Sequence, residues 1–158
     1  IGFHKKRGAG KIMTTVFKKI KGNRKIKLHT QYASQYNAGG DMALIDGIRG
    51  TMDFRTGTWQ GYEGVDLEAV IDLGETRPIN RLSVGFLQDG KSFRLAATVK
   101  NDVPHRREGA IIESFSTPVD AEKARYVKIK AKSPGQCPSW HKGAGNKCWI
   151  FADELVIE

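Results

Sequence analysis

Arg125-Tyr126-Val127-Lys128-Ile129-Lys130-Ala131 alternates in polarity along its whole length. A period of two is the repeat of a strand with one dry face and one wet face, and it turns Val127, Ile129 and Ala131 to the same side. The same period recurs outward from this segment. Arg24-Lys25-Ile26-Lys27-Leu28-His29 alternates apolar with charged residues, and Glu68 to Leu73 sets Ala69, Ile71 and Leu73 on one face before Gly74 signals an end. Arg81 to Phe86 points Leu82, Val84 and Phe86 together, Ala110 to Phe115 reads as a short apolar strand, and Trp149 to Ile157 as a closing one. No segment carries an amphipathic stripe of helical period. Short strands between Gly-, Pro- and Asn-rich connections predict an all-β chain folded as a two-sheet sandwich.

The composition agrees with one globular domain. At 158 residues the chain is long enough to bury an ordinary core, and 39% hydrophobic with 27% charged residues excludes a disordered chain. No apolar run has the length of a bilayer span, so no membrane insertion is expected. The start, Ile1-Gly2-Phe3-His4, has no Met and no apolar signal region, so it reads as the cut end of a longer polypeptide. The formal charge of +9 is unevenly placed: ten Lys or Arg and no acid lie between Lys5 and Lys27. Such an arm suits phosphate backbones or anionic glycans, or a flank that packs on a neighbouring domain. Nothing downstream resembles a helix-turn-helix, a zinc finger or an aromatic RNA-binding strand, so residues 1–30 read as a flank and no nucleic-acid partner is expected. Cys137 and Cys148 have only His141 between them as a further metal-ligand type, too sparse for a metal site. A disulfide between them and two separate buried thiols both remain open.

Two connections are too long for simple turns, residues 36–64 and 133–147. Long loops on a β scaffold are where binding residues gather. In the first, Asp46-Gly47 favours a tight turn that aims the Asp46 carboxylate and the Thr51 hydroxyl at one point, as calcium would require; an Asx turn without metal uses the same residues. Both loops also mix flat aromatics with groups that hydrogen-bond hydroxyls, the combination a sugar ring needs. The first offers Asp53, Arg55, Trp59 and Gln60, the second Trp140 and His141. Trp149, beside Ile150 and Phe151, reads as core.

No catalytic constellation is visible. Asp153 and Glu154 are adjacent on an apparent strand, which would send them to opposite faces and bar them from flanking one bond. There is no G-x-S-x-G elbow, H-E-x-x-H pair or phosphate-binding glycine loop. His4, His29, His105 and His141 have no evident partner in the sequence.

The run YNAGGDMALIDGIRGTMDFRTGTWQGYEG over 36–64, with AVIDLG at 69–74, resembles the discoidin modules, also called F5/8 type C domains or family 32 carbohydrate-binding modules. RLSVGFLQD at 81–89, ARYVKIKA at 124–131 and PSWHKGAGNKCWIFADELVI at 138–157 follow in the family's order. The nearest likeness is to modules at the C-terminus of family 20 β-hexosaminidases of gut bacteria. It implies a jelly-roll β-sandwich of the galactose-binding type over 31–158, without catalysis of its own. It further implies a glycan partner of galactose or N-acetylhexosamine type, a catalytic domain on the same polypeptide, and export to the periplasm or cell surface. A structural calcium would match Asp46, Thr51, the Ala152 carbonyl and Glu154. The sugar site would lie among loops at one end, with Asp53, Arg55, Trp59, Gln60, Trp140 and His141 as its candidates.

The chain departs from the family's pattern after Asp89. A tryptophan-bearing loop and a strand would come before the turn at Asp89-Gly90-Lys91-Ser92-Phe93, yet Gln88 leads directly into it. A missing strand would open a sheet edge and remove part of the sugar site. That favours the alternative role, an accessory domain that buttresses a catalytic domain without binding sugar.

Overall fold

The computed structural model describes residues 23–88, 111–139 and 141–158, together with two short paired strands, β1 (Phe3–His4) and β2 (Gly8–Ala9). Most of the basic arm, the departure at 89–93 and Trp140 lie outside the described residues. Five further strands form one antiparallel sheet: β3 (Lys25–Leu28), β4 (Gln60–Glu63), β5 (Leu67–Gln88), β6 (Ile111–Ala131) and β7 (Trp149–Ile157). Their order is β3-β5-β7-β4, with β6 along the other side of β5. Among the described residues there is no α-helix, only three short 3₁₀ turns, Ser34–Tyr36, Asp41–Ile45 and Phe54–Thr56. The fold is all-β, as the alternation predicts, and its five longer strands make one continuous sheet.

Strands β5 and β6 run for 22 and 21 residues, far beyond ordinary strand length. They stay paired by shifting register between Asp72 and Arg77 and again between Ile79 and Arg81. Such interruptions bend and twist a ribbon, so the sheet curls around its core. The sequence segments 68–73 and 81–86 are therefore halves of one strand. Gly74 does not end it: at φ 82° the glycine carries the first shift, and its N–H donates to Asp72 Oδ1 at 2.8 Å. Residues 111–115 and 125–131 are joined in β6 in the same way. Lys25–Leu28, in the stretch read as flank, pairs with Ala69–Asp72 of β5.

The inward face fills the curl. Leu44, Tyr62, Leu67, Phe86, Phe115 and Ile150 pack in one cluster, which continues into Ile45, Ile71, Ile79, Val127, Leu155 and Ile157. Each such aliphatic or aromatic side chain contributes about 1.5–3 kcal/mol on burial. The outward face is wet along the first half of β5, where Arg125 pairs with Asp72 and Lys128 with Glu68. Pairs as exposed as these add little stability, although Arg125 holds the Asp72 carboxyl down at about 2. Near the end of β5 the outward face turns apolar. Leu87 and Phe151, one step in sequence from the inward Phe86 and Ile150, join Trp59 in a third cluster.

One irregularity ties the sheet to its longest loop. Val84 pairs with Leu155 and Phe86 with Ala152, so Gly85 alone faces both Asp153 and Glu154. This is a β-bulge, and it overturns the expectation that the two acids diverge to opposite faces. Both reach the 46–50 loop: Glu154 Oε2 accepts the Gly47 N–H at 2.8 Å, and Asp153 Oδ2 the Gly50 N–H at 2.9 Å. Asp153 Oδ1 also accepts the Glu154 N–H that the bulge leaves unpaired. The carboxylate occupies the space that a side chain at Gly85 would fill, since a Cβ there would stand 2.2 Å from Asp153 Oδ1. Gly85→Ala is accordingly expected to lose about 3 kcal/mol, read as the midpoint of denaturant unfolding. A variant that unfolds with the parent would show that the pocket for Asp153 yields freely.

Candidate functional site

The loop between Asn37 and Thr58 is built from its anchors. Gly47 takes φ 82°, the tight turn expected at Asp46-Gly47, and Asp46 Oδ1 accepts the Ile48 N–H at 2.8 Å as an Asx turn does. Arg49 bridges to Asp153 at 3.3 Å and to the Glu154 carbonyl at 3.4 Å. Next, Gly50 lies flat against Trp59, whose ring would be 2.1 Å from any Cβ added there, and Trp59 Nε1 donates to the Thr51 carbonyl at 2.9 Å. The loop is thus pinned by two buried acids and a buried indole.

Those anchors reassign two sugar candidates. Trp59 is 0% exposed, with no face left for a ring to stack on. Gln60 is equally buried; its amide donates to the Gly40 carbonyl at 2.7 Å and accepts from the Tyr62 hydroxyl at 2.9 Å. Both residues hold the loop onto the sheet. The reason is that Gln60–Glu63, read as loop, is the strand β4 paired to Trp149–Ala152. Burial of its first three residues hides the alternation by which a strand is recognised.

Asp53 and Arg55 stay at the surface and bind each other through Nε–Oδ1 at 2.8 Å and Nη2–Oδ2 at 3.1 Å. Asp53 also caps the 3₁₀ turn by accepting the Arg55 N–H. That turn delivers Phe54 inward. His141 sits in a loop of local turns, its Nδ1 accepting the Gly143 N–H at 3.0 Å.

Around Phe54 and His141 lies a cleft of about 230 Å³, lined by Tyr36, Phe54, Leu87, Cys137, His141, Trp149 and Phe151. Trp149 and Phe151 are alternate residues of β7 with nearly parallel rings, 9° apart and 5.6 Å between centroids. Tyr36 stands edge-on to both at 5.1 Å, and Phe54 stacks on Phe151 at 5.3 Å. Gly61 makes this assembly possible, because a Cβ there would collide with Tyr36 and Phe151. Of the sequence candidates among the described residues, only His141 lines the cleft. Four aromatics do so unforeseen, including Trp149, which is half-buried rather than core. The spacing Trp149-x-Phe151 on a strand beside a loop is the signal that would have found the pair.

As donors for a hard cation, Asp46 and Glu154 fit in part. Burial raises both carboxyls, Glu154 to about 7; the Asp46 and Asp153 charges add to this and the Gly47 N–H and Arg49 oppose it. A cation would relieve the repulsion between the half-buried Asp46 and the buried Glu154. Thr51 is engaged elsewhere, its hydroxyl donating to the Asp53 carbonyl at 3.1 Å and lying 2.8 Å from Thr56. Ala152 is buried inside β7, paired with Gln60 and Phe86. Among the described residues no three His, Cys, Asp or Glu converge as metal ligands.

No protein-family model and no curated protein matches the chain. Similar solved structures exist. The CBM32 of AlyQ, in complex with 4,5-unsaturated mannuronic acid, is 14% identical over 85% of this chain and 93% of its own, with a TM-score of 0.41. Chitosan-binding module 1 of a chitosanase/glucanase from Paenibacillus sp. IK-5 is 13% identical over 90% and 99%, with a TM-score of 0.42. The lectin binding domain of Lectinolysin, complexed with Lewis b, is 11% identical over 91% and 97%, with a TM-score of 0.45. Likenesses at this level bear on neither ligand nor site in this chain.

The reassignment of Trp59 is open to measurement. Trp59→Ala is expected to cost about 3–5 kcal/mol in denaturant unfolding, as for any large buried aromatic, while Trp59→Phe keeps the fold. If Trp59→Ala unfolds with the parent, the indole does not anchor the loop.

Proposed function

We propose that the chain is a non-catalytic carbohydrate-binding module and that the aromatic cleft is its sugar site. The observation that carries this reading is the composition of the cleft: four rings and Leu87 form an apolar lining, and His141 is a polar group at its edge. Sugars bind by laying the apolar face of the ring on an aromatic while polar groups take the hydroxyls. At about 230 Å³ the cleft is smaller than sites for drug-sized ligands, which begin near 300 Å³ and suit several rings; a single terminal sugar is the occupant to test. Galactose and N-acetylhexosamines are the candidates, on the strength of the family resemblance alone. The same resemblance supports a parent β-hexosaminidase, a catalytic domain on the same polypeptide, and export. Among the described residues no helix is long and apolar enough to cross a membrane.

A second reading has its own observation. Met42, Ile48 and Met52 are all about half-exposed on the 41–52 loop, a patch suited to packing on a neighbouring domain without any sugar.

A glycan array of the purified chain separates the two. Binding to galactose- or N-acetylhexosamine-terminated glycans is expected, nearly independent of salt, and Trp149→Ala should weaken it at least tenfold, about 1.4 kcal/mol. Equal binding by that variant would move the site away from the cleft. A blank array from folded protein would favour the accessory-domain reading.

The proposal includes a structural calcium held by Asp46 and Glu154, whose carboxylates are the hard oxygen donors such an ion takes. Calcium is expected to raise the melting temperature of the parent, with EDTA reversing the gain, and to leave Glu154→Gln unmoved. Identical melting of the parent with calcium and with EDTA would remove the ion from the scheme.

A further inference from the structure

Cys137 and Cys148 face each other across a miniature ladder at the edge of the cleft. Gln136 bridges to Lys147 in antiparallel register, the Cys137 N–H donates to the Asn146 carbonyl at 2.8 Å, and the Cys148 N–H to the Gly135 carbonyl at 2.8 Å. Cys137 is therefore opposite Asn146 and Cys148 opposite Gly135, which makes the cysteines diagonal neighbours on one face. Both side chains are buried there, close enough for Cys137 to act on the Cys148 thiol. Two buried thiols on one face of paired backbone are placed to approach each other.

We propose that this pair is a site of disulfide formation, which closes the loop carrying His141 and fixes that wall of the cleft. The loop has reason to need it. From Pro138 to Asn146 the described residues are held by local turns, His141 N–H to Pro138 O, Ala144 N–H to His141 O and Asn146 N–H to Gly143 O, each 2.9 Å. A covalent tie at its two feet removes freedom from the unfolded loop more than from the folded one.

Access orders the chemistry. Cys137 lines the cleft, whereas Cys148 has no exposed surface. With a small-molecule disulfide such as oxidised glutathione as oxidant, the Cys137 thiolate attacks one of its sulfurs and one glutathione thiolate leaves. The Cys148 thiolate then attacks Cys137 sulfur in the mixed disulfide and displaces the second glutathione. Two protein thiols are oxidised and one glutathione disulfide is reduced to two thiols, so electrons balance. Burial, with the contact to Cys137 adding, pushes the Cys148 thiol up to about 12, and capping Cys137 removes the second of these influences.

The test needs no glycan, so its failure and the failure of the sugar reading are distinguishable. The full chain is equilibrated with oxidised glutathione or with dithiothreitol, then examined by intact mass, by mapping of linked peptides and by thermal melting. Expected are the loss of two hydrogens, a single intramolecular link between Cys137 and Cys148, and a melting temperature higher by about 5 °C in the oxidised form. Cys148→Ser should stop at one glutathione on Cys137, whether or not the link adds stability. Two free thiols that remain alkylatable after oxidation, or links only between chains, would overturn the proposal.

Discussion

A carboxylate kept inside a sheet is the constraint on which the rest of this molecule turns. Asp153 is 1% exposed, and a buried charge is tolerated only when its oxygens are occupied. Here they are met by the Gly50 and Glu154 N–H groups and by Arg49. The room for it comes from Gly85, and the extra residue that turns it loopward comes from the bulge. Gly50, held by Asp153, lies on Trp59; Trp59 holds Thr51; and a few residues on, the Asp53 cap turns Phe54 into the cleft. The position of one wall of the cleft is thus set by an interaction on the far side of the loop from it.

Much of the scaffold was legible because strands with one dry face write their period into the sequence. Val127, Ala131 and Phe86 are buried as the alternation requires, and β7 spans the residues expected of it. Two of the failures share a cause, which is that period two presumes one residue against one. At the bulge two residues of β7 face Gly85, and adjacent acids converge on one loop. At Gly74 a left-handed glycine, ordinarily a stop, absorbs a register shift inside a strand. In β4 both neighbours of Gly61 are buried, so there is no alternation to read.

The site was less legible than the scaffold, and for a different reason. Composition identifies which residue types suit a sugar but not which of them the fold consumes. Trp59 and Gln60 look like ligand residues because they are an aromatic and an amide in a glycine-rich loop. The fold uses the same properties to satisfy Thr51 and Gly40 carbonyls in its interior. Trp149 looks like core because its neighbours are Ile150 and Phe151, yet only Phe151 shares its face of the strand, and that face is the cleft's.

The cleft itself follows from a sheet with more apolar surface than its interior can cover. At the end of β5 both faces are apolar, Phe86 inward and Leu87 outward, and among the described residues the outward face is shielded by the 34–59 loop and the 137–148 turn. These two coverings meet over four rings and leave a gap between them. Closing that gap with one more large side chain would gain on the order of 2 kcal/mol. A protein under selection for stability alone has an easy route to that gain, whereas a protein that must receive a ring has to forgo it. Stability held back at one spot, on a scaffold whose loop is otherwise tied down by buried charge, is what a binding surface requires.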